Sequence, residues 1–242
     1  MGASQTQSLS AVAEAFIENV VRLSPKVAAF DCDGTLWSGD AGESFFAWEL
    51  QNAIVPLAVS NAMRARYAEY KAGRVSEDDM CAELVVMHRG MTEDALMHAA
   101  TDFMQHAFPG CIFPEMQELV RRLQRQGCEI WAVSSSNEWV IRAGMKPFGI
   151  SADRILATKS ELDHGIITDR MIRTPSGAGK PQALREVAQK NIDAAFGNSR
   201  WDADMLAAAD HPFAINPNPN LETMARERGW AIYFPEGTSS RL

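Results

Sequence analysis

Two spacings of apolar residues alternate along the chain. Short apolar runs typical of strands buried on both faces lie at 27–30, 129–133, 193–196, 213–215 and 231–234. Apolar residues at helical spacing lie between most of them, at 114–126, 137–146, 180–190, 202–209 and 220–228. Strands that alternate with helices predict β-α-β crossovers and a mainly parallel sheet, an α/β fold.

Two segments depart from this alternation. Leu162-Asp163-His164-Gly165 carries a turn signal between two β-type stretches, which predicts a hairpin over 155–172. Between 38 and 107 the strand signal is absent, and apolar residues keep helical spacing. The helical segments lie at 43–71, 76–88 and 92–107, with breaks near Gly73 and Gly90. We therefore expect an all-helical insert after the first strand.

Helical spacing also precedes the first strand. Residues 9–23 form an amphipathic pattern that Ser24-Pro25 ends. We interpret it as a helix that packs either on the core or on a second subunit. Packing on a second subunit would make the protein a homodimer. The sequence thus divides into an N-terminal helical extension (1–25), an α/β core (26–37 plus 108–242) and a helical cap (38–107).

Composition argues against several classes of protein. The 242 residues carry a formal net charge of -8 and no basic run, so we expect no nucleic-acid partner. No apolar run approaches the ~18 residues of a membrane span. Residues 1–25 lack the features of a signal peptide. We expect a soluble, cytoplasmic protein. Its four cysteines have neither zinc nor disulfide spacing, and we expect reduced, buried thiols at Cys32, Cys81, Cys111 and Cys128.

Polar residues gather where the predicted strands end. Open parallel sheets bind ligands beyond the carboxyl ends of their strands. Asp31 and Asp33 follow the first strand, and Lys180 opens the helix before the 193–196 strand. The ends of the second and third strands carry Ser134, Ser135, Ser136 and Asn137, and Gly197, Asn198, Ser199 and Asp202. These residues are expected at one edge of the sheet.

The residue types at this edge suit phosphoryl transfer. Asp31 can attack phosphorus as a carboxylate, and Asp33 can protonate the leaving oxygen and later activate water. Because carboxylates repel phosphate, a hard cation such as Mg²⁺ has to offset them. Ser134 and Lys180 can hold phosphate oxygens. Taken singly, each residue also has a structural alternative: a turn for Asp-x-Asp-Gly, a helix N-cap for Ser134 and a solvated first turn for Lys180.

In this order the motifs resemble those of the haloacid-dehalogenase-like superfamily, in its phosphoserine-phosphatase-like branch with a helical C1-type cap. That superfamily has four motifs. The stretches of this chain that resemble them are, in order, Asp31-Cys32-Asp33-Gly34-Thr35-Leu36, Val133-Ser134-Ser135-Ser136, Lys180, and Gly197-Asn198-Ser199-Arg200-Trp201-Asp202. The resemblance implies a Rossmann-like parallel sheet and a Mg²⁺-dependent phosphatase. It implies Asp31 as nucleophile and Asp33 as general acid and base. It also implies that Ser134 and Lys180 bind the phosphate oxygens, and that Ser135 lies beside them in the substrate site.

The same resemblance implies a metal site and a substrate class. Mg²⁺ would be bound by the Asp31 side chain, the Asp33 backbone carbonyl and Asn198. The family usually has Asp at position 198, so we expect weaker binding unless Asp202 moves inward or acts through water. Phosphoserine phosphatases carry a cap Arg where this chain has Leu84, which argues against phosphoserine. Asp40 matches the acidic position that engages a substrate amine, which favours an amino- or alkylammonium-containing phosphate.

The sequence leaves three functions open. The first is hydrolysis of a small phosphorylated metabolite through an aspartyl-phosphate intermediate. The second is a phosphotransferase that uses the same intermediate. The third is a catalytically weak protein that binds a phosphorylated ligand, a hypothesis motivated by Asn198 and the additional N-terminal helix.

Overall fold

A seven-stranded sheet forms the centre of the protein, whose computed structural model describes residues 9–238. The strand order is β4-β3-β2-β1-β5-β6-β7. The strands are β1 (Val27–Phe30), β2 (Glu129–Asn137), β3 (Ile155–Asp163), β4 (Ile166–Arg173), β5 (Ile192–Gly197), β6 (Ala209–Ile215) and β7 (Ala231–Tyr233). Neighbours pair in parallel except β3 and β4, which form an antiparallel hairpin. The predicted α/β fold with a mainly parallel sheet is confirmed.

Helices cover both faces of this sheet. In chain order they are α1 (Ala11–Arg22), α2 (Ala41–Gln51), α3 (Leu57–Lys71), α4 (Glu77–Val86), α5 (Glu93–Asp102), α6 (Pro114–Arg125), α7 (Glu138–Gly144), α8 (Gly179–Ala188), α9 (Ala203–Ala207) and α10 (Pro219–Arg228). Successive side chains of a strand point to opposite faces. Accordingly Ala28 and Phe30 join an apolar cluster with α1, α6 and α7, whereas Val27 and Ala29 join one with α8, α9 and α10.

The helical insert differs from its prediction at one point. A single helix over 43–71 was expected, but α2 ends at Gln51 and α3 begins at Leu57. Ala53 lies in the left-handed region with φ 52°, and Pro56, which has no N–H to donate, precedes α3. The prediction of one unbroken helix was therefore wrong.

Apolar residues of the insert belong to two clusters. Six of them form a cluster of their own: Phe46, Val55, Met63, Val75, Met80 and Met87. In contrast, Phe45 of α2 and Leu96 and Ala100 of α5 join the cluster on the main sheet. The insert is thus anchored to the core through α5 and one side of α2, and the division of the chain at residues 38 and 107 stays an interpretation.

The β3–β4 hairpin supports this insert from the side. The amide of Gly90 donates to the Ile167 carbonyl at 2.9 Å, and the Ile167 amide donates to the Met91 carbonyl at 2.9 Å. The Glu93 amide donates to the Gly165 carbonyl at 2.8 Å. The hairpin predicted over 155–172 therefore exists, and its turn holds the segment between α4 and α5.

The N-terminal helix packs on the core of its own chain. Ala13, Ile17 and Val20 of α1 are fully buried. The Phe16 ring stacks on Tyr233 with centroids 3.9 Å apart. This is the first of the two alternatives for the 1–25 segment, and a homodimer through this helix stays a prediction. Residues 1–8 of that segment and 239–242 of the predicted core lie outside the described residues.

Two further expectations concern the membrane and the cysteines. Over residues 9–238 no helix is long and apolar enough to cross a bilayer. All four cysteines are free thiols. Cys32 and Cys128 are buried as expected, but Cys81 and Cys111 are partly exposed, so the expectation of burial was wrong for those two.

Candidate active site

The carboxylate of Asp31 lies where β1 ends. Its backbone amide donates to the Phe196 carbonyl at 2.9 Å, which extends the pairing of β1 with β5 by one residue. The side chain accepts from Lys180 Nζ at 2.7 Å through Oδ1 and from Thr35 Oγ1 at 2.8 Å through Oδ2. Burial is the main cause that raises the pKa of Asp31 to about 6, and the charge of Asp202 adds to it. Both carboxylate oxygens are thus held in fixed directions.

Lys180 is buried between two carboxylates. It lies in the first turn of α8, and Nζ donates to Asp31 Oδ1 at 2.7 Å, to Asp202 Oδ1 at 2.5 Å and to the Val133 carbonyl at 3.2 Å. An ammonium has three N–H groups, so each is used. Burial acts to lower its pKa, but Asp202 and Asp31 together raise it above the ordinary value. The alternative of a solvated first-turn lysine was wrong.

Asp202 holds both Lys180 and the loop after β5. Its Oδ2 accepts from the Asn198 amide at 3.0 Å, the Ser199 amide at 2.8 Å and Ser199 Oγ at 3.1 Å. Its Oδ1 accepts from Lys180. Both oxygens are thus engaged with protein donors. A place for Asp202 among the metal ligands stays a prediction, which needs a different side-chain conformation or contact through water.

Asp33 joins three elements through its carboxylate. Oδ1 accepts from Trp37 Nε1 at 2.8 Å and from the Ala41 amide at the start of α2 at 2.6 Å. Oδ2 accepts from Ser136 Oγ at 2.7 Å. Burial, followed by the charge of Asp40, raises the pKa of Asp33 to about 7. A carboxyl group that titrates near neutral pH is suited to donate and accept a proton.

The serine run is the end of a strand rather than the start of a helix. β2 extends to Asn137, and a register shift lies between Val133 and Asn137. Asn137 Oδ1 accepts from the Val140 amide at 2.9 Å and caps α7, so the N-cap alternative for Ser134 was wrong. Ser134 is buried, and its Oγ accepts from the Ser136 amide at 3.1 Å. Ser135 and Ser136 line the adjacent cavity.

The loop after β5 contacts the loop after β1. Gly34 has φ 76°, and a Cβ at that position would lie 1.9 Å from Asn198 Nδ2. Asn198 and both motif carboxylates, Asp31 and Asp33, line a cavity of about 410 Å³. The four motifs, far apart in sequence, therefore meet at one place. Which of their residues act in catalysis stays a prediction.

The oxygen atoms at this place suit a hard cation. Within residues 9–238, no group of three or more His, Cys, Asp and Glu is arranged to hold a metal ion. A cation here would have to use the Asp31 carboxylate together with neutral oxygens, of which the Asp33 carbonyl and the Asn198 amide are the candidates. Mg²⁺ accepts such a mixed oxygen set.

A second, smaller cavity of about 60 Å³ lies under the helical insert. Asp40 lines both cavities and caps α2, because its Oδ1 accepts from the Glu43 amide at 2.7 Å. Burial raises the pKa of Asp40. Leu84, at the position where the resemblance implies an Arg in phosphoserine phosphatases, lines the smaller cavity. Its wall thus offers no guanidinium at that position.

Several residues that shape the site were missed from the sequence. Thr35 and Trp37 hold Asp31 and Asp33. Each follows its partner by four residues, a spacing that could have indicated these hydrogen bonds. The acidic and aromatic residues of the insert that line the smaller cavity had no such signal: Glu43, Glu49, Tyr67, Tyr70 and Glu77.

The chain is similar to known proteins in both sequence and structure. A histidinol-phosphatase of Neisseria meningitidis serogroup C is 26% identical over 217 residues, covering 85% of this chain and 97% of that protein. A Bordetella pertussis Tohama I protein of unknown function has a crystal structure that matches with TM-score 0.76 and 20% identity, covering 86% and 97% of the two chains. A substrate-bound phosphoserine phosphatase matches with TM-score 0.56 and 16% identity, covering 89% and 95%. The structural likenesses show a shared fold.

The family model for haloacid dehalogenase-like hydrolases matches residues 28–207, a stretch that contains every motif residue described above. Since that match spans most of the chain and relatives are named phosphatases, the chain belongs to the haloacid dehalogenase-like hydrolase family and is a hydrolase of the phosphatase type.

Proposed function

We propose that this protein hydrolyses the phosphate monoester of a small metabolite, depends on Mg²⁺, and forms an aspartyl-phosphate at Asp31. One observation carries the proposal. The buried Asp31 carboxylate is held by Lys180 and Thr35, and it faces the same 410 Å³ cavity as Asp33. A nucleophile, a proton donor and a buried cation at one cavity are the groups that phosphoryl transfer requires.

The chemistry takes two steps at these residues. An Asp31 oxygen forms a bond to phosphorus while the bond from phosphorus to the ester oxygen breaks, and Asp33 gives its proton to the departing alcohol. Asp33 then takes a proton from water, whose oxygen attacks phosphorus as the bond to Asp31 breaks. Lys180 offsets negative charge throughout. Bound Mg²⁺, held by the Asp31 carboxylate, the Asp33 carbonyl and Asn198, would neutralise phosphate charge.

The decisive experiment compares the wild type with Asp31→Asn. Hydrolysis of p-nitrophenyl phosphate should require Mg²⁺, and the substitution should lower it by at least about 10³-fold because the nucleophile is lost. Acid-quenched wild type given ³²P-labelled substrate should carry protein-bound label that hydroxylamine removes. Asp163→Asn, a charge loss at the exposed hairpin turn, is the control and should retain activity. Mg²⁺-dependent turnover by Asp31→Asn would rule out this mechanism.

A second candidate function is favoured by Asn198. Without the usual carboxylate at that position, the protein would bind a phosphorylated ligand with little turnover. A panel of phosphate esters separates the two, and it should include histidinol phosphate, since the Neisseria relative is named a histidinol-phosphatase. Leu84 in the wall of the smaller cavity argues against phosphoserine as the preferred ester.

A further inference from the structure

A buried glutamate of α2 lines the smaller cavity with one oxygen unpaired. The side chains of Glu49 and His88 are 1% and 0% exposed. Glu49 Oε1 contacts His88 Nε2 at 2.7 Å, and His88 Nδ1 contacts the Val85 carbonyl at 3.2 Å. Glu49 Oε2 has no hydrogen-bond partner in the part of the chain that the structure describes. A buried oxygen without a partner costs free energy unless a ligand or water satisfies it.

The hydrogen-bond pattern around His88 fixes what Glu49 Oε2 offers. A carbonyl oxygen only accepts, so His88 Nδ1 carries a proton. The short contact between His88 Nε2 and Glu49 Oε1 holds a second proton, on one atom or the other. When this is the only proton that the pair shares, Oε2 has no proton of its own and can accept a hydrogen bond. Because Oε1 is turned to His88, Oε2 is the oxygen of Glu49 that is left to accept from a ligand in the cavity that this residue lines, and it is buried in the wall of that cavity.

The rest of this cavity wall is acidic and aromatic. Asp40, Glu43 and Glu77 contribute carboxylates, and the rings belong to Phe46, Tyr67 and Tyr70. None of the described residues that line it is Lys, Arg or His. Lys71 pairs with Glu43 at 3.0 Å, but it is half exposed. Its ammonium also lies over the rings of Tyr67 and Tyr70, 5.1 Å and 5.9 Å from their centroids. The wall therefore attracts a further cation through its carboxylates and repels a second anion.

The two cavities share part of their walls. Five residues line both: Asp40, Tyr70, Glu77, Ser135 and Ser136. The larger cavity also holds Asp31, and the smaller one holds Glu49. A small molecule whose phosphate lies at Asp31 can therefore extend along this shared wall, so that its other end lies toward Glu49.

We propose that Glu49 is a specificity residue for a protonated nitrogen at the end of the substrate remote from its phosphate. The inference rests on the proposed phosphatase function and assigns to Glu49 the recognition of the amine in an amine-bearing phosphate monoester, the class that the resemblance at Asp40 favours. The substrate N–H donates to Glu49 Oε2, and the carboxylates of the wall offset the positive charge. His88 holds Oε1 and so keeps Oε2 directed at this group.

Matched pairs of esters test the assignment in wild-type protein with Mg²⁺. The pairs are 2-aminoethyl and n-propyl phosphate, 3-aminopropyl and n-butyl phosphate, and 4-aminobutyl and n-pentyl phosphate, which differ by ammonium against methyl. For at least one length, kcat/KM should favour the amino ester by about tenfold or more, because a charge-assisted hydrogen bond is formed. Equal kcat/KM values within every pair would overturn the assignment.

Substitution of Glu49 tests whether this residue carries the preference. Glu49→Gln keeps shape and one acceptor but removes charge, and it should lower kcat/KM for the amino ester about tenfold while that for the alkyl ester changes less than about twofold. Glu49→Leu removes the acceptor as well and should abolish the preference. Glu115→Gln, an equally buried glutamate that bonds to Tyr233 and the Glu236 amide, is the control. A parallel fall for both esters in Glu49→Gln would contradict the assignment.

A binding measurement keeps this inference separate from the proposed function. Calorimetry in the presence of Mg²⁺ compares 3-aminopropylphosphonate with butylphosphonate, neither of which can be hydrolysed. Tighter binding of the amino compound that Glu49→Gln removes supports the assignment even if no ester is turned over, in which case only the proposed function fails. Turnover of esters without any preference in binding would instead defeat the assignment and leave the phosphatase proposal intact.

Discussion

Charge at the cavity is unevenly distributed among single residues. Four acidic residues line it, namely Asp31, Asp33, Asp40 and Glu77, whereas Lys180 is the buried cation among its described lining residues and is already shared between Asp31 and Asp202. Burial, followed by this crowding of carboxylates, raises the pKa values of Asp31 and Asp33. At residue 198 the chain has a neutral amide instead of a further carboxylate. The cost is a weaker attraction for a cation, and the gain is less repulsion of phosphate.

Replacing Asn198 by Asp should tighten Mg²⁺ binding by about tenfold, since the number of charged ligands sets the affinity of such sites. Titration calorimetry of the protein without substrate measures this. Asn216→Asp is the matched control, because Asn216 lines the same cavity and its Nδ2 donates to the Gly34 carbonyl at 3.4 Å. It should change the affinity less than about threefold. Equal tightening in both variants would show that position 198 is not special and that only the total charge of the cavity matters.

The loop between β1 and α2 meets the loop after β5. The close approach of Gly34 to Asn198 leaves no room for a side chain. The backbone of Gly34 also lies in the left-handed region, where a Cβ is unfavourable. The contact with Asn198 and the left-handed backbone are separate constraints on Gly34, and Gly73 is subject only to the second.

Gly34→Ala should lose stability from both causes, and Gly73→Ala from only one. Gly73 has φ 74°, close to the 76° of Gly34, but no described residue beyond its chain neighbours lies within 4 Å of the position that a Cβ would take. We expect Gly73→Ala to cost about 1 kcal/mol and Gly34→Ala about 2–4 kcal/mol, because overlap with Asn198 adds to the backbone strain. Urea unfolding of both variants measures the difference. Equal losses would mean that the Asn198 side chain moves aside freely.

The elements show which parts of this protein the sequence determines by itself. Buried parallel strands leave continuous apolar runs, so β1 and β5 and the polar residues that follow them could be predicted. β2 and β6 are longer than their apolar runs. Asn137 pairs with Thr158 of β3 beyond a register shift, and Ala209, His211 and Pro212 pair with β5 despite their polarity or exposure. Pairing partners, which are distant in sequence, decide those ends.

The residues of the site likewise divide into those that the sequence could predict and those that it could not. Asp31, Asp33, Lys180 and Asn198 follow predicted strand ends or helix starts, and topology alone brings them to one edge. Glu49 lies on a helix of the insert, where helical spacing does not tell which neighbour each side faces. Its partner His88 is 39 residues away, on a segment that the β3–β4 hairpin holds in place. Only the packing of the insert against the core shows that the two side chains meet.

The two ends of the described chain close one face of the sheet. α1 lies beside α6, where Arg122 pairs with Glu14 at 2.7 Å. Phe16 stacks on Tyr233 of β7, whose hydroxyl donates to Glu115 at 3.3 Å. α1, all of whose residues the structure describes, contributes none of them to either cavity. Its role in the described structure is therefore to cover apolar surface.

That role predicts opposite outcomes for two residues of α1. Ile17 is fully buried, so Ile17→Ala should lower the free energy of unfolding by about 2–4 kcal/mol through lost apolar burial and a cavity. Val12 is 71% exposed, and Val12→Ala should change it by less than about 0.5 kcal/mol. Both variants should keep the wild-type kcat at a temperature where they stay folded. Thermal unfolding measures the stability of both variants, and sedimentation measures the mass of the particle that each forms in solution. If Val12→Ala instead shifted the sedimenting mass while Ile17→Ala left stability unchanged, α1 would serve a dimer interface rather than the core of its own chain.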